Sequence, residues 1–363
     1  MTGAADAPTL RRGWTTGACA TAATKSAVGA LLGLGFEDPV TIRLPRGGTA
    51  SFALAERTRG DGWALAAVVK DAGDDPDVTH GCLVRASLRL NPPGRGVTFH
   101  AGEGVGTITR AGLQLPPGEP AINPVPRRMM TEAVEEVAAR RGMPADVAIT
   151  IAIPGGEALA AKTLNPRLGI VGGLSILGTT GVVVPFSCAA WIHSIHRGID
   201  VARAAGLDHL AAATGSTSEQ AVRDLYGLSE MALLDMGDFV GGTLKYLRRH
   251  PVPRLSLAGG FAKLAKLAQG HLDLHSSRSR LDHPALAALA AEHGAKAELA
   301  RAIAAANTGH EMLGLAAAAG FPLAGLVAAQ ARRVAAVTLG AATALEVIVV
   351  DRQGRIAGRS RGW

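Results

Sequence analysis

Between residues 210 and 268 the chain passes three times through one cycle of short apolar strand, glycine-bearing loop and helix. Leu210–Ala213 enters Thr214-Gly215-Ser216-Thr217-Ser218-Glu219 and a helix from Glu219 to Tyr226. Met231–Asp235 enters Met236-Gly237-Asp238 and a helix through Lys245–Arg249; Arg254–Ala258 enters Gly259-Gly260 and the helix Phe261–Ala268. A strand followed by a helix cannot pair with its successor as a hairpin, because the crossover brings the chain back to the same end. The cycle therefore predicts a Rossmann-like α/β domain with a mostly parallel, doubly wound sheet. Ala285–Ala306 and Ala324–Leu339 read as further helices. Leu345–Val350 with Arg355–Ala357 reads as a closing hairpin, free to pack back on the preceding domain.

The texture before Val184-Pro185 is different. Thr16–Leu32 reads as a helix with a small-residue face. Val40–Leu44, Ser51–Ala55, Ala64–Val69, Leu83–Leu90, Val97–Phe99 and Val147–Ile153 read as strands between turn signals, with a helix at Arg127–Arg141. Several antiparallel strands with few helices predict an α+β domain over residues 1–185, and the α/β domain then occupies 186–363.

Composition narrows the class. With 48% hydrophobic and 18% charged residues the chain can bury a sizeable core, which excludes a disordered polyampholyte. Aromatic residues are 4%, too few for extended stacking on single-stranded nucleic acid. The net charge of +7 is spread over arginine pairs such as Arg11-Arg12, Arg127-Arg128 and Arg332-Arg333. No single element concentrates it, so a small polyanion suits it better than DNA or RNA. Cys19, Cys82 and Cys188 are odd in number and far apart, which excludes a disulfide framework. The opening MTGAADAPTLRRGW has no apolar core after its charges, so neither a signal peptide nor an extracellular location is expected. Met312–Ala331 carries no charge, but Gly320-Phe321-Pro322 divides it into two short helices instead of one membrane span.

Candidate sites follow from local chemistry. Gly215 ends a strand and opens a helix, where free amides and the helix dipole attract a phosphate or carboxylate. Asp235 lies 20 residues further on at the next strand end, where doubly wound domains place a carboxylate on ribose hydroxyls. The loop lacks G-x-G-x-x-G, which weakens a dehydrogenase, and an N-cap turn is the plain alternative. The run Gly169 to Gly181 is dense in glycine and hydroxyls and can cradle a polar ligand or simply turn tightly. Lys70 to Asp77 gathers four carboxylates without calcium-loop spacing. His271 and His275 stand four apart, on one face if helical, and lack a third zinc ligand. Cys19, at a helix start among small residues, fits packing better than nucleophilic catalysis.

Together these segments resemble the CbiD family of cobalt-precorrin-5B C(1)-methyltransferases. The matching blocks are Leu10–Ala20, Asp71–Gly81, Ala101–Leu113, Ala121–Arg128, Pro154–Val183, Gly237–Gly241 and Lys263–Ser276, in order along most of the chain. The Lys162–Val183 stretch is the most specific. Phe186-Ser187-Cys188 departs from the Met-Ser-Glu usual there, and past about residue 280 the likeness fades.

The resemblance implies S-adenosylmethionine as methyl donor and a cobalt-containing, ring-contracted tetrapyrrole as acceptor. It implies no tightly bound protein metal, since the cobalt belongs to the substrate, and a cytoplasmic enzyme without nucleic-acid or membrane partners. A homo-oligomer is compatible with it. For the donor, Gly178, Thr179, Thr180, Gly181, Gly215, Ser216, Asp235 and Asp238 are expected. For the acceptor's carboxylates and ring, Arg12, Thr15, Thr16, Arg110, Arg127, Lys162, Arg167, Lys263, His271 and His275 are expected. Asp71 or Glu103 is expected to accept a proton. The competing class is a binding protein for a nucleotide or anionic tetrapyrrole that transfers no methyl group.

Overall fold

Ala, Gly, Thr and Ser supply most of Thr16–Leu31, and so slim a helix can be enclosed on every side. In the computed structural model, which describes residues 10–363, this helix is buried from Thr16 through Ala30, where the sequence suggested only a small-residue face. The expectation about a leader falls partly on residues 1–9, outside the described residues. The chain divides after Ser187 into two units.

In the first unit, β1 (Gly13–Trp14) leads into α1 (Thr16–Leu31), followed by β2 (Val40–Arg43) and β3 (Thr49–Phe52) as a hairpin. Next come β4 (Glu56–Gly60), β5 (Trp63–Val69), β6 (Leu83–Leu90), β7 (Thr98–Ala101) and β8 (Thr107–Ile108). The unit closes with α2 (Pro124–Ala139), β9 (Val147–Ala152), α3 (Gly156–Ala160), β10 (Ile170–Val171) and β11 (Val182–Val183). The main sheet has the order β4-β5-β6-β9-β7, antiparallel except for the β7–β9 pair. Alternating residues of β5, β6 and β9 join α1 and α2 in one apolar core, which includes Ala66, Leu88, Ile149 and Met130.

The second unit begins with α4 (Cys188–Ala204), β12 (His209–Ala213), α5 (Ser216–Tyr226) and β13 (Leu233–Asp235). It continues through α6 (Val240–Arg249), β14 (Arg254–Gly260) and α7 (Phe261–Ala268). Then follow α8 (His283–Glu292), α9 (Ala297–Ala305), α10 (Gly309–Ala318), α11 (Leu323–Leu339), β15 (Ala344–Val350) and β16 (Ile356–Arg359). The sheet order is β13-β12-β14-β15-β16, with all pairs parallel except β15–β16. The closing hairpin thus extends this unit's own sheet. One sheet face packs Ala211, Leu233, Ala258 and Ile348 against α5. The other packs Leu210, Leu234, Leu257 and Val347 against the remaining helices. Both units are mixed α/β with mixed sheets.

Several boundaries differ from expectation: α2 starts at Pro124 instead of Arg127, and Gly259-Gly260 continues β14. Helix α5 begins at Ser216, three residues before Glu219, because Gly215 already serves as its N-cap. Residues 230–232 form a 3-10 turn, leaving β13 only Leu233–Asp235. The single helix predicted over Ala285–Ala306 is two, because Gly294 takes φ +88° and reverses the chain between α8 and α9. Met312–Ala331 is likewise divided, into the end of α10 and the start of α11. No helix among the described residues is long and apolar enough to cross a membrane.

Candidate active site

The strand order of the second unit places a reversal between β12 and β14, since the connections leave these neighbours on opposite faces. Ligands of open α/β sheets bind at such a switch point, beyond the carboxyl ends of the strands. A cavity of about 500 Å³ lies there. Its lining combines Thr214–Ser218 after β12, Gly260–Lys263 from the end of β14 onward, Thr308–His310, and Val350–Arg352 from the end of β15 onward. The starts of α5, α7 and α10 therefore all border one space.

The electrostatics follow from these termini. Gly215 offers α5 no side-chain cap, so the amides of its first turn retain their donor capacity toward the cavity. Helix α10 is capped by Thr308, whose hydroxyl accepts from Glu311 N at 3.2 Å, while Glu311 Oε2 accepts from Asn307 N at 2.8 Å. Lys263 adds a cation and pairs with Asp238 from the loop after β13. Asp351 spends most of its acceptor capacity locally, its carboxylate accepting from Gln353 N, Arg355 N and Arg355 Nε at 2.8–2.9 Å. Burial pushes that carboxyl up, but the bonds from its own turn outweigh it and hold the group below the usual range. The cavity wall favours an anionic group.

Asp235 ends β13 in register with Ala213, the last residue of β12. The amides of Met236 and Gly237 fold back onto Ala213 O at 3.0 and 3.2 Å. Gly215, Ser216, Asp235, Asp238 and Lys263 thus gather at one end of one sheet. Lys263, expected with the acceptor contacts, stands among residues that were expected to bind the donor. Sequence reading missed Thr308–His310 and Val350–Arg352; the capping-box spacing of Thr308 and Glu311 was a visible signal for the first.

The first unit assembles a second group around the start of α1. Thr15 caps the helix, its hydroxyl accepting from Ala18 N at 3.2 Å, and its own amide donates to Gly181 O at 3.0 Å. Thr16 Oγ1 donates to Leu177 O and accepts from Leu177 N. Gly178 takes φ +137°, and a Cβ there would stand 2.2 Å from Thr15 Oγ1. Thr180 Oγ1 accepts from Val182 N and donates to Val182 O, while Thr179 is exposed. Arg12, Thr15, Thr16 and Gly178–Gly181 are therefore brought together, though both threonine hydroxyls already have partners inside the protein.

The four carboxylates after Lys70 are also engaged internally. Asp71 accepts from the Arg11 guanidinium and from Gly73 N; Asp74 accepts from Arg11 N. Asp75 accepts from Phe186 N at 2.8 Å, and Asp77 accepts from the fully buried Lys70 at 2.7 Å. The Arg11 guanidinium holds the Asp71 carboxyl down at about 2. So low a value makes Asp71 a weak proton acceptor. Among the described residues no group of three or more His, Cys, Asp or Glu side chains could hold a metal ion.

Of the other expected contacts, Glu103, Arg110 and Lys162 are exposed, and Arg167 is half-buried in the turn after α3. Arg127 is committed internally, donating to Ile122 O and Pro120 O and pairing with Glu119. His271 and His275 do not share a helix face, because α7 ends at Ala268 and residues 271–282 are turn and coil. Lys266 Nζ anchors that segment at Leu274 O, 3.0 Å away. Cys19 is wholly enclosed, and burial pushes its thiol up to about 12, which suits packing and not nucleophilic attack.

Comparison with known proteins converges on one family. The CbiD profile matches residues 4–185, and the profile of the CbiD C-terminal domain matches 273–361, including the region where the resemblance read from the sequence fades. A protein of Brucella anthropi named cobalt-precorrin-5B C(1)-methyltransferase is 62% identical over 351 residues, covering 96% of this chain and 95% of that protein. One of the same name from Paramagnetospirillum magneticum is 62% identical over 355 residues, covering 98% and 99%. A crystal structure of the cobalamin biosynthesis protein cbiD from Archaeoglobus fulgidus is 26% identical, covers 74% of this chain and 83% of that one, and superposes with a TM-score of 0.40.

Proposed function

The chain belongs to the CbiD family, and from that premise we propose that it is a cytoplasmic methyltransferase using S-adenosylmethionine to methylate ring carbon 1 of cobalt-precorrin-5B, giving cobalt-precorrin-6A in cobalamin biosynthesis. The observation that carries this is 62% identity over nearly the full length of proteins bearing that name.

We read the second unit as Rossmann-like and assign the donor to its switch-point cavity. Two features of the cavity fit the donor, a space of about 500 Å³ and uncapped first-turn amides on α5, and outside its lining the Asp235 carboxylate ends β13 at the same end of the sheet. The amides after Gly215, with Ser216, take the amino-acid carboxylate. Asp235 takes the ribose hydroxyls, and Asp238 orients Lys263 across the cavity mouth. When bound, the donor supplies an electrophilic methyl group on a sulfonium.

On the acceptor side, Arg12, Arg110, Lys162 and Arg167 are assigned to acetate and propionate groups, which paired charge and hydrogen bonding recognise well. Thr15, Thr16 and the Gly178–Gly181 turn shape the backbone around the start of α1. Arg11 with Asp71 orders the segment that presents Arg12, and Glu103 is the assigned proton acceptor. Little covalent work falls to these side chains. Their contribution is to bind and orient the groups that they contact, which by itself supplies large rate factors.

The test is transfer of labelled methyl from S-adenosylmethionine to the cobalt tetrapyrrole, paired with calorimetric titration of S-adenosylhomocysteine. Saturable one-site binding and a monomethylated product are expected. Binding of the tetrapyrrole without transfer would favour a carrier instead.

A further inference from the structure

Trp191 stands at the end of β13, and nothing in the reaction assigned above uses it. Its indole N–H donates to Asp235 O at 3.1 Å. Its ring lies against the backbone of Gly237, where an added Cβ would be 3.6 Å from Nε1, and 6.5 Å from the Phe239 ring at a 45° tilt. Yet 46% of the residue is exposed. A tryptophan pinned through its polar edge while its apolar ring stays open is a fixed platform for another flat ring.

We propose that Trp191 stacks on the adenine of the methyl donor and so selects an adenine nucleoside over other sulfonium compounds. The inference rests on the donor reading above. Adenine is bonded directly to the ribose, so a carboxylate of Asp235 on the ribose hydroxyls leaves the base within reach of the ring that Asp235 itself holds. Stacking needs no hydrogen-bond code and loses little conformational freedom, since the indole is already oriented by the protein. Trp191 is thus a binding residue for the nucleoside half of the donor, separate from the amides that take its carboxylate.

The experiment is a titration of the full chain with S-adenosylhomocysteine, run with and without a cobalt corrinoid. Trp191→Phe keeps an aromatic face and is expected to bind within about threefold of the parent, whereas Trp191→Ala is expected to weaken about tenfold or more. Tryptophan emission provides a second readout that does not depend on the alanine variant folding. Quenching by S-adenosylhomocysteine and by adenosine is expected in the parent and absent in Trp191→Phe, which retains Trp14, Trp63 and Trp363. Undiminished affinity in Trp191→Ala, or quenching that survives in Trp191→Phe, overturns the stacking. Failure of the parent to bind under either condition overturns the donor reading itself.

Discussion

A side chain placed at Gly215 separates ligand binding from folding. The residue has φ 169°, extended backbone open to any amino acid, and a Cβ built on it meets no atom within 4 Å. The structure around it therefore tolerates Gly215→Val. Restricting the unfolded chain gains about 0.4–1 kcal/mol. Replacing glycine by a poorer N-cap costs a similar amount, so net stability should stay within about 1 kcal/mol of the parent. Gly215 lines the cavity, so the added methyl groups are expected to crowd the approach to the α5 amides. Keeping a carboxylate from those donors forfeits one or two charge-assisted hydrogen bonds, each worth about 1.5–3 kcal/mol. At 1.4 kcal/mol per decade this amounts to roughly a tenfold loss of affinity at least. Calorimetry with S-adenosylhomocysteine reads the affinity, and urea unfolding of the same sample reads the stability. A folded Gly215→Val protein that binds as tightly as the parent would refute the placement of the donor carboxylate at α5.

Three further outcomes are expected. Thr15→Ala removes the α1 cap and should lower the stability of the first unit by about 1 kcal/mol in urea, with Thr15→Ser restoring most of it. The folded pKa of Asp71, about 2, lies below its ordinary 3.8, so the Asp71–Arg11 contribution is complete above about pH 4 and is lost as pH falls through about 2. Acid unfolding of Asp71→Asn should accordingly be less steep across that window than in the parent. Glu346 is wholly buried and meets Arg359 and the Tyr226 hydroxyl, so Arg359→Leu strands a buried carboxylate. A loss of about 3 kcal/mol or more is expected in the second unit's unfolding transition; a change below about 1 kcal/mol would show the carboxylate finding other partners.

Much of the fold was legible because each half repeats its own period. Alternation in Leu83–Leu90 and Val147–Ala152 sets one sheet face toward α1 and α2, and the strand–loop–helix cycle after residue 209 leaves parallel pairing as its plainest solution. The candidate cavity was legible in part. Gly215 stands out by its position in the cycle, but Thr308–His310 and Val350–Arg352 reach the same cavity from distant parts of the chain. No local pattern reveals that convergence.

Where the structure adds to the expectation, the origin is shared: a side chain's chemistry competes with its neighbours. Arg127 looked like a carboxylate contact until Ile122 O, Pro120 O and Glu119 claimed its guanidinium. Asp71 looked like a proton acceptor until Arg11 held it ionised. His271 and His275 looked like helical neighbours until the chain left the helix at Ala268. The sequence by itself determined the periodicities, the family and the residue types available for binding, because these depend on local order along the chain. Which amides stay unpaired, which charges are spent on one another and which loops share a cavity were decided only by the tertiary structure, because hydrogen-bond and ion-pair energies depend on distances between residues far apart in the chain.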